Sequence, residues 1–361
     1  MSLSYNLRYP TSQKDTYTSG DNIDLVLSFP NQALVGNSVR VNGILNVYSA
    51  GTTLVDSTDA IFYDGMAGAH SFLDNISVST KTNGVIETIT QYPRYVKMKN
   101  SAMKTASQVS SDSKSLCQLL CHDSTLTNIV MSSPTSFSID LDMCINNVAQ
   151  NGLFGYSKTG DVTISFRLVQ VADALYGEDV DGNVNYTISG LACEYVTVPE
   201  PKVLPPVQMI VVNPAKQTMN SANASINIKL PTSIITMFSS FISQSGESQL
   251  QQNNLELQKP DGIYKIYYMF NDSTNTFVSF PIETIEDMLE HYLSAFAPFN
   301  PSDKNDFTLK KINDDKAFGI GLFFESNVSM LNNSFGINIL STVDNYSAYS
   351  FCAFFCGIVS L

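Results

Sequence analysis

The stretch "DGMAGAHSFLDNISVSTKTNGVIETITQYPRY", Asp64 to Tyr95, decides how the rest of the chain is read. It holds two runs of alternating apolar residues, a turn carrying Gly84 between them, and a Tyr-Pro stop at Tyr92–Pro93. Period-two alternation places successive side chains on opposite faces of a half-buried strand, and a Gly-bearing turn returns the second strand along the first. Strand, turn, strand is the local prediction.

The same signal recurs on both sides. In "SVRVNGILNVYS" the residues Val39, Val41, Leu45 and Val47 share one face. In "DVTISFRLVQV" Val162, Ile164, Phe166 and Leu168 oppose Thr163, Ser165 and Arg167. Further strands are predicted at "NIDLVLSF", "TSFSIDLDM" and "NYTISGLACEYVTV", separated by Gly, Asn, Asp and Ser clusters that favour turns. Then comes "VPEPKVLPPVQM", Val198 to Met209, with four prolines. Each lacks a backbone donor, so the segment reads as a stiff, extended connector. Beyond it strands resume at "VQMIVVN", "ASINIKLP", "GIYKIYYMF", "DFTLKKI", "AFGIGLFFE", "FGINILST" and "YSFCAFFCGIVSL". Each half thus carries enough strands for a two-sheet antiparallel sandwich.

Helices are few. "IETIEDMLEHYLSAF" places Ile282, Ile285, Leu289, Tyr292, Leu293 and Phe296 at helical spacing, with acidic residues near its start. "TSIITMFSSFIS", from Thr232, reads as a second, short helix, and Tyr95 to about Cys121 as helical in pieces. The first twenty residues are polar, with Arg8 and Lys14 their only cations, and are expected to form an arm outside the core.

Composition narrows the function classes. The chain has 361 residues, 43% of them hydrophobic and only 15% charged, against ~25% charged in ordinary soluble domains. Ser, Thr and Asn therefore supply the surface polarity, and such surfaces are cheaper to desolvate than ionised ones. The net charge of -13 and the absence of a basic run argue against nucleic-acid binding, which relies on Lys and Arg against phosphate. The start, "MSLSYNLRYPTSQKDTYTSG", lacks the charged-then-apolar layout of an export signal. The apolar end, "YSAYSFCAFFCGIVSL", is shorter than the ~20 residues of a membrane-spanning helix and reads as a buried strand.

No catalytic, cofactor-binding or metal constellation is legible. The three histidines, His70, His122 and His291, stand apart from any nucleophile motif. The pairs Cys117/Cys121 and Cys352/Cys356 share a spacing of four, which on a helix puts both thiols on one face, but neither belongs to a four-ligand zinc pattern. The acidic loop with Glu178, Asp179 and Asp181 before Gly182 and Asn183 lacks the distal Glu of a calcium loop, and reads as a turn. Sequons at Asn75, Asn185, Asn223, Asn271, Asn327, Asn332 and Asn345 are what chance produces in an Asn- and Ser-rich chain.

At this point the opening stretch gains a second meaning. Extended to "FYDGMAGAHSFLDNISVSTKTNGVIETITQYPRYVKM", it resembles the early part of double jelly-roll major capsid proteins of icosahedral double-stranded DNA viruses, among them those of Polinton-like viruses and virophages. The matching residues are Asp64, Gly65, Gly68, His70, Phe72, Ile76, Val78, Gly84, Ile86, Glu87 and Tyr92. "DVTISFRLVQVADALYG" resembles the late strand of the first jelly roll in that group. The resemblance implies an all-β fold: two tandem eight-stranded jelly-roll β-sandwiches with short helical insertions. It divides the chain into an arm (1–20), a first jelly roll (21–197), a Pro-rich linker (198–206) and a second jelly roll (207–361).

It also implies a homotrimer with six sandwiches around a ring, tiling a virion shell together with neighbouring capsomers and minor or penton capsid proteins. The arm would lie at the base, against a neighbour or an internal membrane. Insertions over Asn100 to Ser132 and Ser233 to Pro260 become candidate tower or inter-subunit elements. Two other readings are a minor shell component and a glycan- or receptor-binding sandwich of the fibre or adhesin type. The absence of Trp counts against sugar stacking.

Overall fold

The computed structural model describes residues 2–56, 58–121, 128–130, 133–148, 152–219, 225–229, 233–244, 249–271, 276–278, 281–299, 316–328, 334–343 and 348–361. The strand expected at "DFTLKKI", the histidine His122, and the sequons Asn223, Asn332 and Asn345 lie outside the described residues.

The first half opens with β1 (Ser4–Arg8), β2 (Thr16–Thr18), β3 (Asn22–Leu27), β4 (Gln32–Val35) and β5 (Arg40–Ala50). Next come β6 (Thr53–Leu54), β7 (Phe62–Asp64), β8 (Leu73–Thr80) and β9 (Gly84–Ile89). Two helices follow, α1 (Tyr92–Met103) and α2 (Ala106–Leu116), then β10 (Asn128–Val130), β11 (Thr135–Asp140) and β12 (Leu153–Gly155). The half ends with α3 (Tyr156–Thr159), β13 (Val162–Leu168), α4 (Val171–Ala174) and β14 (Asn185–Pro199). The second half holds β15 (Gln208–Thr218), β16 (Ser225–Lys229), β17 (Ile234–Ser243), β18 (Ile263–Asn271), β19 (Thr276–Val278), α5 (Ile285–Ser294), β20 (Ile320–Val328), β21 (Ser334–Ser341) and β22 (Tyr349–Ser360).

The second half shows the topology in its simplest form. Its two four-stranded sheets run β15-β22-β17-β20 and β16-β21-β18-β19. In chain order this is first-eighth-third-sixth facing second-seventh-fourth-fifth, the wrapped double Greek key of a jelly roll. The first half repeats it. The sheet β3-β13-β8-β9 is again second-seventh-fourth-fifth. In the opposing sheet, β14 is flanked by β4 and β5 on one side and by β1 and β2 on the other, with β11 on β5 and β12 on β4. Among the described residues no sheet combines strands of β1–β14 with strands of β15–β22. Pro201, Pro205 and Pro206 fall in the gap between β14 and β15, and Pro199 ends β14.

Register follows hydrophobic phase. In β13 Val162, Ile164, Phe166 and Leu168 are buried between the two sheets, and Thr163, Ser165 and Arg167 face away. Val39, Val41, Leu45 and Val47 are buried on β5 and its entry. The turn Thr80–Gly84 uses Gly84 at φ +71, a left-handed conformation that costs a Cβ-bearing residue strain. Helix α5 begins with a capping box, Thr284 and Asp287 exchanging side-chain and backbone bonds.

Three expectations are corrected. The first twenty residues do not stand apart as an arm. β1 pairs Ser4–Arg8 with Thr197–Cys193, and β2 pairs Thr16–Thr18 with Ser189–Thr187, so together they supply the first strand of the first jelly roll. Their polar character reflects an edge position, where one side of the strand meets water. The segment from Thr232 is not a helix but the central strand β17, between β22 and β20. Nearly all of it is buried on both faces, which removes the polar alternation that identifies half-exposed strands, while Ile234, Ile235 and Thr236 are β-branched. The expected insertion over 233–260 is therefore partly a core strand. Cys117 caps the end of α2 in a left-handed conformation and Cys352 and Cys356 lie on β22, so neither pair shares a helical face. Among the described residues no group of side chains is arranged to hold a metal ion. The carboxylates of Asp179 and Asp181 accept backbone N–H bonds from Ala60 and Asn183.

The phase of β13 is directly testable. Phe166 is 2% exposed, so Phe166→Asp should abolish soluble folded protein by placing a charge between the sheets. Thr163→Asp, on the outer face of the same strand, should cost about 1 kcal/mol or less in urea unfolding. Equal effects at both positions would show that the strand is out of phase.

Candidate functional site

Beside α1 a cavity is lined by His70, Lys99, Lys104, Asp112, Asp140 and Asp142, of which His70, Lys99, Lys104 and Asp142 are held by contacts within the protein. The site that the opening stretch builds is a junction, the place where the first half locks onto the second. Its centre is α1. Pro93 lies in the first turn of α1, where a missing N–H costs nothing, and almost the whole helix is buried. Tyr95 stacks on Phe238 of β17 at 5.9 Å with planes 22° apart, and its ring lies 5.4 Å from that of Phe354 of β22. Tyr292 of α5 donates to the carbonyl of Met98 at 3.1 Å. The helical insertions follow the fifth strand in each half, and they meet here.

Charged groups in this junction are each matched. Asp64, at the end of β7, is 3% exposed. Its Oδ1 accepts the N–H groups of Met66 (3.0 Å) and Ala67 (2.9 Å), and its Oδ2 accepts from Lys97 Nζ (2.7 Å) and Asn253 Nδ2 (2.8 Å). Four donors leave no lone pair of this buried carboxylate unanswered, which is the condition for burying a charge. Asn253 belongs to the second half, so the pair Lys97–Asp64 also ties the halves together. Close by, Lys99 donates to Asp142 at 2.8 Å and lies 4.4 Å from the centroid of the Phe299 ring across the junction. Burial alone would raise the Asp142 carboxyl, but Lys99 and Asn147 outweigh it and hold it below the usual range.

Glu87 performs the most specific task. It sits on β9 in phase with Ile89, pointing inward. Its Oε2 accepts the N–H of Cys144 at 2.6 Å, and its Oε1 accepts the N–H of Val212 at 2.7 Å. Val212 belongs to β15, whose far edge would otherwise be bare. Two residues earlier on the same edge, Ile210 N–H donates to the carbonyl of Asn147 at 2.9 Å, and Met209 bridges to Val148. The first half thus satisfies the outer edge of the second half's first strand. Removal from water pushes the Glu87 carboxyl up to about 7, against the two N–H bonds that favour its charged form.

The remaining residues of the resemblance support this geometry. Gly68 has φ +57, and a Cβ there would meet the carbonyl oxygen of Gln118 at 2.5 Å. His70 Nδ1 lies 3.0 Å from the Tyr92 hydroxyl, which accepts the N–H of Asp142 at 2.8 Å. Burial pushes the His70 imidazole down to about 3, so it is a neutral packed residue. Phe72, Ile76 and Val78 fill the first core. His291 lies in the last turn of α5 and joins no cluster. Reading the sequence did not find Tyr95, Asp142 or Asn253. It did contain one usable signal, a glutamate at an inward position of an alternating strand.

Two outcomes test the junction. A folded-state value near 7 against an unfolded one of 4.5 means that native protein holds a proton its unfolded chain has lost. Stability from this group is complete below 4.5 and is lost as pH rises to 7, a fall on the order of 3 kcal/mol. Urea unfolding at pH 5 to 8 should show that slope, and Glu87→Gln should flatten it while adding a constant loss of about 1–3 kcal/mol for a mismatched N–H. Tyr95→Ala should cost about 3–5 kcal/mol and split a single calorimetric transition into two as the halves uncouple.

No protein-family model matches the sequence, and no curated protein matches it. Solved structures do. The chain superposes over 100% of its length on 94% of the PBCV-1 Vp54 structure that was fitted into a reconstruction of the virophage Sputnik, with a TM-score of 0.64 and 9% identity. It covers 86% of a Sputnik virophage chain with a TM-score of 0.60 and 10% identity. With the mavirus major capsid protein the TM-score is 0.51, over 99% of this chain and 90% of that one, at 11% identity. These matches span both halves at once and agree with the sheet orders above: the chain has the double jelly-roll fold.

Proposed function

We propose that this chain is a major capsid protein, a structural building block that self-associates and tiles the icosahedral shell of a double-stranded DNA virus. The observation that carries the reading is the fixed side-by-side pairing of two jelly rolls of one topology, 1–199 and 207–361, through a shared core. A protein whose two halves are alike and rigidly joined presents a quasi-repeated outline. Three such chains place six sandwiches around a closed ring, a near-hexagonal tile. The structures it resembles are capsid proteins, and their likeness spans the whole chain.

Surface chemistry supports assembly. With only 15% charged residues, desolvating a broad flank is inexpensive. Partners on this reading are other copies, neighbouring capsomers, minor or penton capsid proteins, and an internal membrane beneath the base. The net charge of -13 leaves genome packing to other molecules. The location is the virion.

Light scattering coupled to size exclusion should give three times the 39.6 kDa of the chain, and negative-stain images should show hexagonal outlines or sheets of them. A monomer at every concentration, combined with binding to a glycan array, would replace this reading by the adhesin one.

A further inference from the structure

β1 carries its alternation inside out. Tyr5 stands opposite Val196 and Leu7 opposite Glu194, on the outer face of the sheet. Asn6 and Arg8 stand opposite the buried residues Tyr195 and Cys193, on the inner face. The inward polar pair is satisfied: Asn6 Nδ2 donates to Thr197 Oγ1 at 2.9 Å, and Arg8 Nε to the Tyr195 hydroxyl at 3.3 Å. Outward, Leu3, Tyr5, Leu7 and Tyr9 are 56%, 82%, 47% and 55% exposed. Other exposed large apolar residues, such as Val85, Val203 and Tyr264, are widely spaced along the sequence. Tyr5 and Leu7 in β1, with Leu3 and Tyr9 flanking it, leave on the order of 500 Å² of apolar surface, at the upper end of what a monomer shows without a partner. Beyond β14, β1 pairs with no other strand among the described residues, so its outer edge also lacks a ladder partner.

The second half shows how the equivalent edge is treated. β15 occupies the same first-strand place, and its outer edge is covered by the first half through Glu87, Asn147 and Val148. The duplication therefore contains one covered and one uncovered copy of the same edge. We infer that β1 and its stripe of Leu3, Tyr5, Leu7 and Tyr9 dock against the second jelly roll of another copy of this chain. This rests on the self-assembling reading above and names the surface that mates. The contact is head-to-tail, first unit to second unit, the kind that closes a ring when repeated. The stripe carries no outward cation and the chain is strongly acidic, which disfavours an anionic lipid surface as occupant. Its area is a large part of the ~800 Å² per partner of a stable interface.

The test uses the full chain and two readouts. Tyr5→Ser combined with Leu7→Ser alters only outward side chains, so the melting temperature of the monomer should hold while association weakens at least tenfold in sedimentation velocity. A photo-crosslinking benzoylphenylalanine at position 5 should capture peptides from 207–361 of another chain. If wild type assembles, the double variant assembles equally well and the crosslink falls within 1–199, this inference is overturned while self-assembly stands. If wild type remains monomeric at every concentration, both fall. Loss, in the double variant only, of co-sedimentation with neutral phosphatidylcholine vesicles would assign the stripe to lipid and overturn the inference.

Discussion

A sheet edge left bare is a row of unanswered N–H and C=O groups, and the structure depends on how one such edge is answered. β15 is the first strand of the second jelly roll, and its outer N–H groups at Ile210 and Val212 find acceptors only in the first half, at the Asn147 carbonyl and the Glu87 carboxylate. Two hydrogen bonds of this kind are modest in net worth, but leaving the groups unpaired in a buried junction would cost far more. That asymmetry fixes where the second half must sit. Side chains then complete the fit: Tyr95 against Phe238 and Phe354, Lys99 over Phe299, Tyr292 on Met98. The result is one hydrophobic core shared by two folded units.

This arrangement explains why the junction tolerates so many ionisable groups in a chain otherwise poor in them. An apolar junction could hold the halves together, yet it would leave their angle loosely defined. A carboxylate that must accept from Lys97, Asn253 and two backbone amides has few alternative placements. In the proposed shell role the outline must repeat from copy to copy, and there orientation matters as much as affinity. Glu87 with its raised value and neutral His70 are fixtures of this join.

The duplicated topology also shows what differs between the halves. Both insert helices after the fifth strand, and both wrap eight strands in the same order. Their first strands are treated differently. The first half builds its own from two short pieces, interrupted between Arg8 and Thr16; β1 presents its apolar side outward, while β2 buries Tyr17. The second builds it as one long strand and hides its edge against the first half.

The strand periodicity was legible without coordinates because burial on one face leaves a period of two in the residues, as Val162 to Leu168 show. Pro201, Pro205 and Pro206 lie between β14 and β15, where no ladder needs their missing N–H, and Pro199 is tolerated as the last residue of β14. β17 was not legible: a strand buried on both faces loses its alternation, and Ile234 to Phe238 then look as much like a helix as a strand. β1 was misjudged for the opposite reason, since its polar residues face in and its apolar ones face out, a pattern that has meaning only once β14 lies beside it. The residue types alone determined that the chain forms two sets of alternating strands. Tertiary structure decided the rest: Tyr95 meets Phe238, Asp64 meets Asn253 and Glu87 meets Val212 across separations of more than a hundred residues. Such contacts depend on where folded surfaces come together, and no local spacing encodes that.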